Sequence, residues 1–146
     1  MGRVAVGPGR RWPASAAPAA AVALALTVAL VAAGCGGGSP RTYDAGRSLP
    51  SLLGGGFAAE RAPGMPDTLA GVRQVDYLQT TAPDGRRIDL QFLETPAAAA
   101  REHDAAAART RGFHGAVAGN VLVLPVPATT AVPGDDMSYL KSLLRT

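Results

Sequence analysis

One apolar stretch near the amino terminus limits what this chain can fold into more than any other feature. Residues 14–33 contain no charged side chain. The uninterrupted part of this run is about as long as the core of a signal peptide, and it is short for a membrane-spanning helix. Three basic residues precede it on the side that stays in the cytoplasm, namely Arg3, Arg10 and Arg11. We therefore expect residues 1–34 to form a signal helix that directs export.

The residues that follow form a short motif around the only cysteine of the chain. Ala32-Ala33-Gly34-Cys35 resembles the lipobox of bacterial lipoproteins, in which an apolar residue and two small residues precede the cysteine. The resemblance implies that Cys35 receives a diacylglyceryl group and that a signal peptidase cuts between Gly34 and Cys35. It departs from the commonest pattern at Ala32, where most lipoboxes have leucine. Residues 1–34 are thus predicted to be a lipoprotein signal peptide.

A lipid on Cys35 implies a location at the outer, extracytoplasmic face of the cell membrane. Two acyl chains anchor a protein stably, whereas one chain binds only marginally, so the diacylglyceryl group is a sufficient membrane partner. Three other interpretations stay open: an uncleaved membrane anchor, an ordinary secretory signal, and a buried helix of a cytosolic fold. Arg10-Arg11 also leaves twin-arginine export open beside the general secretory route. The alanine-, glycine-, proline- and arginine-rich composition resembles that of actinobacterial proteins.

The charge balance argues against nucleic acid as a partner. The formal net charge of +3 equals the three arginines of the signal peptide, so residues 35–146 carry equal numbers of acidic and basic side chains. A neutral mature chain lacks the excess of positive charge with which proteins bind phosphate backbones. Because Cys35 has no second cysteine to pair with, the exported domain also has no intramolecular disulfide to stabilise it.

Residues 35–66 have the composition of a tether. Glycine triplets stand at 36–38 and 54–56, and a proline-rich segment occupies 63–66. Glycine and proline at this density favour a flexible, extended linker. Four apolar side chains interrupt it and predict a short helical turn that docks on the domain: Leu49, Leu52, Leu53 and Phe57. We expect residues 67–146 to form the folded domain.

A β-hairpin is predicted near the start of that domain. Residues 72–81 alternate apolar and polar side chains, and residues 87–94 alternate more regularly. The second strand would place Ile88, Leu90 and Phe92 on one face and Arg87, Asp89 and Gln91 on the other. Proline, aspartate and glycine within 82–86 supply the turn.

A helix and then one or two further strands are predicted next. Thr95 is predicted to cap a helix that has Pro96 in its first position, strong helix formers over 97–111 and Gly112 after its end. Residues 113–126 favour strand structure, which Gly119-Asn120 would split in two.

A last short helix, with Asp135 or Asp136 as its cap, carries the apolar stripe Met137, Leu140, Leu143 and Leu144. The element order is then β-β-α-β(β)-α. This order predicts a small α+β domain with an antiparallel sheet and helices on one face.

Residues with catalytic or ligating potential do not form a recognised constellation. Ser138 and Lys141 have the spacing of the nucleophile motif of penicillin-binding proteins and serine β-lactamases, but the companion motifs are absent from the sequence. Glu102-His103-Asp104 occupy consecutive helical positions, which point about 100° apart and cannot chelate one ion. We therefore predict no catalytic residues, no metal site and no cofactor.

The sequence favours a non-enzymatic function in the cell envelope. A lipid-anchored binding or accessory module would engage a membrane-protein partner, the cell wall or a small ligand. The alternative is a small cell-envelope hydrolase or metal-dependent enzyme, which the compartment and the isolated residues Ser138, His103 and His114 support. A pure spacer or assembly part is the third hypothesis.

Overall fold

The structure, a computed structural model, describes residues 40–146. The predicted signal peptide, Gly34 and Cys35 lie outside the described residues. The helices of the described part are α1 (Ala45–Gly54), α2 (Pro96–Arg109) and α3 (Gly134–Leu143). Its strands are β1 (Ala58–Arg61), β2 (Gln74–Thr81), β3 (Arg87–Leu93), β4 (Ala116–Ala118) and β5 (Val121–Val126). Among these helices, none has the length and apolar character needed to cross a membrane.

The five strands form one antiparallel sheet in the order β1-β2-β3-β5-β4. This confirms the predicted α+β class, and from β2 onward the elements follow the predicted order. The β2–β3 turn is closed by the Ala82 N–H, which donates to the Arg86 carbonyl at 2.8 Å. Gly85 lies in this turn at φ +87°, a conformation that glycine adopts without strain. The predicted turn at Gly119-Asn120 separates β4 from β5.

Helices cover both faces of the sheet, which corrects the prediction of a single covered face. Ile88 and Phe92 pack in one hydrophobic cluster with Leu52 of α1 and Leu140 of α3. A second cluster contains Leu93, Leu122 of β5 and Ala99 of α2. Successive side chains of a strand point to opposite faces, so α2 lies opposite α1 and α3. The sequence gives this second face polar residues of β3, and alternation alone does not predict that a helix covers them.

The folded region begins before residue 67, inside the segment with the composition of a tether. Helix α1 and strand β1 both lie there, and Leu52 and Phe57 are buried in the core. The Tyr43 N–H donates to Asn120 Oδ1 at 2.6 Å, and Asn120 Nδ2 donates to the Tyr43 carbonyl at 3.1 Å. The second glycine triplet is part of the fold, since Gly55 caps the carboxyl end of α1 and Gly56 has φ +85°.

The helix boundaries match the predictions at one of the three expected caps. Thr95 caps α2 as expected, because its side chain accepts the Ala98 N–H at 3.1 Å. Helix α2 ends at Arg109 with Thr110 as its cap, three residues before Gly112. The prediction that an aspartate caps α3 is wrong: Pro133 is the cap, and Asp136 lies in the first turn, where it pairs with Arg86. The acidic first turn still favours the helix, since it meets the positive end of the dipole.

Candidate functional site

A cavity of about 230 Å³ lies between helix α2 and strands β3 and β5. Residues 62–73, which connect β1 to β2 and are called the β1–β2 loop below, cover part of it through Leu69. Most of the wall is apolar and includes Phe113, Leu122 and Leu124. Small-molecule sites in proteins have this character, with a mainly apolar wall and a few placed polar groups.

Gln91 supplies the principal polar group at the sheet wall of this cavity. It lies in the middle of β3, between Tyr77 of β2 and Leu122 of β5, and is 2 % exposed. Its side chain forms part of the cavity lining, where its amide has one acceptor and one donor group.

Glu102 joins helix α2 to the β1–β2 loop. Its carboxylate is 3 % exposed and accepts the backbone N–H groups of Leu69 and Ala70, each at 2.7 Å. The loop is also held internally, since Thr68 Oγ1 donates to the Val72 carbonyl at 2.7 Å. Glu102 is therefore not part of the exposed surface of the helix. Its role is to fix the loop over the cavity.

The histidines do not converge with Glu102 on a common centre. The His103 ring packs edge-on against Phe113 with centroids 5.3 Å apart, and its Nε2 lies 3.3 Å from the Gly115 carbonyl oxygen. His103 thus supports the cavity wall from behind. His114 is exposed, and its backbone N–H donates to the Ala128 carbonyl. In the described part of the chain, no three His, Cys, Asp or Glu side chains are grouped to hold a metal ion.

Ser138 is engaged locally on α3. Its hydroxyl donates to the Gly134 carbonyl at 2.8 Å, one helical turn earlier. Ser138 and Lys141 are both exposed on this helix, away from the cavity residues.

Cys35 and Gly34, the predicted lipidation and cleavage residues, lie outside the described residues. No protein-family model, curated protein or solved structure matches the chain. The site is therefore interpreted from its own geometry.

A polar network beside the cavity is fully paired. The Tyr77 hydroxyl donates to Asp89 Oδ2 at 2.5 Å, and Arg87 donates to both oxygens of the same carboxylate at 3.0 Å. Burial, with the nearby Asp89 carboxylate, raises the pKa of Tyr77 to about 12. The phenol is thus neutral at physiological pH and acts as a hydrogen-bond donor. This network explains how β3 buries the polar residue Asp89.

Two further depressions present fewer binding features. A cleft of about 160 Å³ lies between the β2–β3 turn and α3, where Phe57 and Tyr139 stack with centroids 6.2 Å apart. Its charged groups are paired with one another, since Arg86 bonds to Asp84 and to Asp136. The Arg86 backbone N–H and side chain lower the pKa of Asp84. A wider depression of about 540 Å³ at the β1 edge is open to solvent.

Sequence patterns alone do not identify Gln91 and Glu102 as site residues. Gln91 occupies a polar position of an alternating strand, which predicts exposure. Glu102 occupies a polar position of an alanine-rich helix. A polar residue at such a position indicates exposure to solvent only when no other element covers that face. Here α2 and the β1–β2 loop cover it.

Proposed function

We propose that this protein is a lipid-anchored, extracytoplasmic binding module that holds a small, mainly apolar ligand in the cavity beneath the β1–β2 loop. The observation that carries the proposal is the cavity of about 230 Å³, whose mainly apolar wall also contains the buried side chain of Gln91. Glutamine neither titrates nor acts as a nucleophile, so the group is suited to recognition. A non-enzymatic accessory role in the cell envelope agrees with this chemistry.

The anchor of the proposed module is the diacylglyceryl group on Cys35, which the lipobox resemblance implies. Docking of Tyr43 on Asn120 leaves seven residues between Cys35 and the first docked residue. Such a segment spans at most about 28 Å when fully extended. The domain would therefore stay close to the extracytoplasmic surface of the cell membrane. There it would meet membrane proteins and apolar molecules that leave the bilayer.

Ligand binding is tested with the chain 36–146, which contains both hydrophobic clusters whole. Toluene and benzamide serve as probes, and binding is followed by chemical-shift changes of the protein's amides. We expect shifts centred on β3, β5 and α2. Ala106→Leu fills the cavity from α2 and should weaken binding about tenfold or more. Ala108→Leu, on the exposed side of the same helix, is the matched control and should change nothing.

Two results would overturn the binding proposal. One is that neither probe shifts the cavity amides of the wild-type chain at millimolar concentration. The other is that Ala106→Leu binds both probes as well as Ala108→Leu does. A folded amide spectrum for each variant is recorded first, so that loss of binding is not confused with loss of structure.

The anchor is tested separately, by mass spectrometry of the amino-terminal peptide from the membrane fraction. We expect a peptide that begins at Cys35 and carries diacylglycerol. The variant Cys35→Ala should retain its signal peptide. A wild-type chain that begins at Met1, or at another residue without lipid, would overturn the lipoprotein part of the proposal and leave the cavity argument unaffected.

A further inference from the structure

We propose that the β1–β2 loop is a lid that opens as one unit and admits the ligand to the cavity. Glu102 is the latch of this lid, and the buried side-chain amide of Gln74 opposes its closure. The inference rests on the proposed function, since it states how a ligand enters that cavity. Three features support it: the attachments of the loop, a polar group left unpaired beside it, and its position over the cavity.

The loop is attached to the rest of the domain at its two ends and at one place between them. The ends are held by backbone hydrogen bonds of 3.1 Å, one to β2 and one to the residue after β3. Between the ends, among the described residues, only the bonds from Leu69 and Ala70 to Glu102 join the loop to another element. The bond from Thr68 Oγ1 to the Val72 carbonyl lies within the loop and helps it to keep its shape. Release from Glu102 would therefore free the middle of the loop as one piece.

A polar group without a partner lies where the loop joins the sheet. Gln74 is the first residue of β2 and directly follows the loop. Its Nε2 and Oε1 are the only buried side-chain nitrogen and oxygen atoms within residues 40–146 that lack a hydrogen-bond partner. Gln74 pairs in the sheet with Leu93, which belongs to the cluster against which Val72 of the loop packs. Opening of the loop would let water reach this amide and remove the cost of burying it unpaired.

These two contributions leave the closed loop near a balance. The bonds to the Glu102 carboxylate favour closure, and bonds to a charged acceptor are stronger than bonds to a neutral one. The unpaired Gln74 amide favours opening by an amount comparable to one hydrogen bond. A single substitution should therefore shift the balance in either direction. Loops that control access to binding sites generally have such low local stability.

The loop closes the cavity itself. Pro66, Asp67 and Leu69 are its contribution to the cavity lining, and Leu69 is also 41 % exposed at the surface. Within the described part of the chain, residues 63–67 make no hydrogen bond. Movement of the loop would thus widen the entrance while the sheet and α2 keep their places.

Thiol labelling tests the lid without any ligand. The chain 36–146 has no cysteine, so Ala106→Cys places a single thiol at a buried position of the cavity lining. Its rate of reaction with iodoacetamide measures how often the cavity opens. We expect Glu102→Gln, added to this variant, to raise the rate about tenfold, since one bond of the latch is lost. Gln74→Met keeps the length of the side chain and removes the unpaired groups, so it should lower the rate about threefold or more.

Two control substitutions separate lid opening from other effects. Ile88→Val weakens the core on the opposite face of the sheet, where Ile88 is 2 % exposed, and so makes unfolding of the whole domain more frequent. It should leave labelling at position 106 unchanged, because the open lid retains that core. Gln79→Met, in β2 outside the loop and the cavity lining, should also change nothing. A folded amide spectrum is recorded for every variant first.

Each unexpected result would overturn a stated part of the inference. An unchanged rate in Glu102→Gln would reject the latch. A rate raised as much by Ile88→Val as by Glu102→Gln would show that the cavity opens only when the whole domain unfolds, and would reject the lid. An unchanged or faster rate in Gln74→Met would reject the role of the Gln74 amide. These rates involve no ligand, so they are independent of the toluene and benzamide titrations, whose failure would reject the binding function itself.

Discussion

Asn120 shows how much a single side chain contributes to this fold. It is 1 % exposed and makes three side-chain hydrogen bonds: one from the Tyr43 N–H, and two to the carbonyls of Tyr43 and Leu93. The side-chain amide thus pairs with Tyr43 much as a neighbouring strand would. Gly119 beside it permits the close approach, because a Cβ there would lie 2.0 Å from the Arg41 carbonyl oxygen. These two residues attach the amino-terminal segment to the β4–β5 turn.

Tyr77 makes the stability of the folded domain depend on pH in the alkaline range. Its pKa is raised in the folded state from 10.0 to about 12, first by burial and then by Asp89. The folded state therefore favours the neutral phenol. Its contribution is fully present below pH 10 and is lost as the pH rises toward 12. We expect the urea midpoint of the wild-type chain to fall over this window, and that of Tyr77→Phe to fall less.

Comparing the wild-type chain with Tyr77→Phe separates the effect of the Tyr77 hydroxyl from that of other groups that titrate at high pH. Phenylalanine preserves the ring and removes the hydroxyl, while Arg87 still pairs with Asp89. Parallel pH profiles for the two proteins would contradict the assigned role of the Tyr77 hydroxyl.

At the level of the elements, the β1–β2 loop depends on one carboxylate. Glu102→Gln keeps one acceptor oxygen but turns an NH₂ group toward a backbone N–H, so one of the two bonds to Leu69 and Ala70 is lost. We expect the amides of these residues to exchange with solvent faster, by a factor that corresponds to about 1–3 kcal/mol. Hydrogen exchange followed by NMR measures the effect.

Glu94→Gln is the control for that variant. Glu94 is exposed and forms a surface ion pair with Arg73 at 3.5 Å, which contributes little. Its substitution should leave exchange at Leu69 and Ala70 unchanged. Equal exchange rates in Glu102→Gln and the wild-type chain would mean that other contacts hold the loop.

Helix α1 provides a test of where the folded region begins. Leu52 is fully buried in the core, whereas the next residue, Leu53, is 52 % exposed. We expect Leu52→Ala to lower the free energy of unfolding by about 2–5 kcal/mol, since it leaves a cavity. Leu53→Ala should change it by less than about 0.5 kcal/mol. Urea unfolding of the two variants measures the difference. Equal effects would mean that α1 is not part of the folded domain.

Residues 40–146 are organised around one sheet against which the three described helices pack. The larger hydrophobic cluster joins α1, the central strands and α3, through residues such as Leu52, Leu90 and Leu140. The smaller one joins α2 to β3 and β5 from the other side. Strands β3 and β5 contribute side chains to both clusters. If α2, or α1 and α3 together, detached from the sheet, these strands would be exposed, and they also support the helices on the opposite face.

This shared support predicts one cooperative unfolding transition. Single domains of this size are usually two-state. We expect far-ultraviolet circular dichroism and tyrosine fluorescence of the chain 36–146 to give the same urea midpoint. Tyr43, Tyr77 and Tyr139 report from the amino-terminal segment, the sheet and α3, respectively. A fluorescence change that precedes the loss of helix signal would show that part of the domain unfolds alone.

Local patterns in the sequence were enough to predict a large part of this architecture. Alternation in β3, the turn residues before it, and the Thr95-Pro96 start of α2 all depend on contacts within a few residues. Such contacts are encoded in the order of the residues themselves. The lipobox around Cys35 is also a local motif, and the lipid anchor that it implies stays a prediction.

The tertiary structure alone decided the candidate site. Alternation assigns Gln91 to one face of β3, but it contains no information on which element covers that face. The glycine- and proline-rich composition of 35–66 predicted a tether with one docked helical turn, and it gave no sign of β1, because glycine triplets occur in linkers and in caps alike. Glu102, Gln91 and Leu69 lie far apart in sequence and meet only when α2 and the β1–β2 loop pack against the sheet. The cavity therefore exists through long-range packing, which no local pattern specifies.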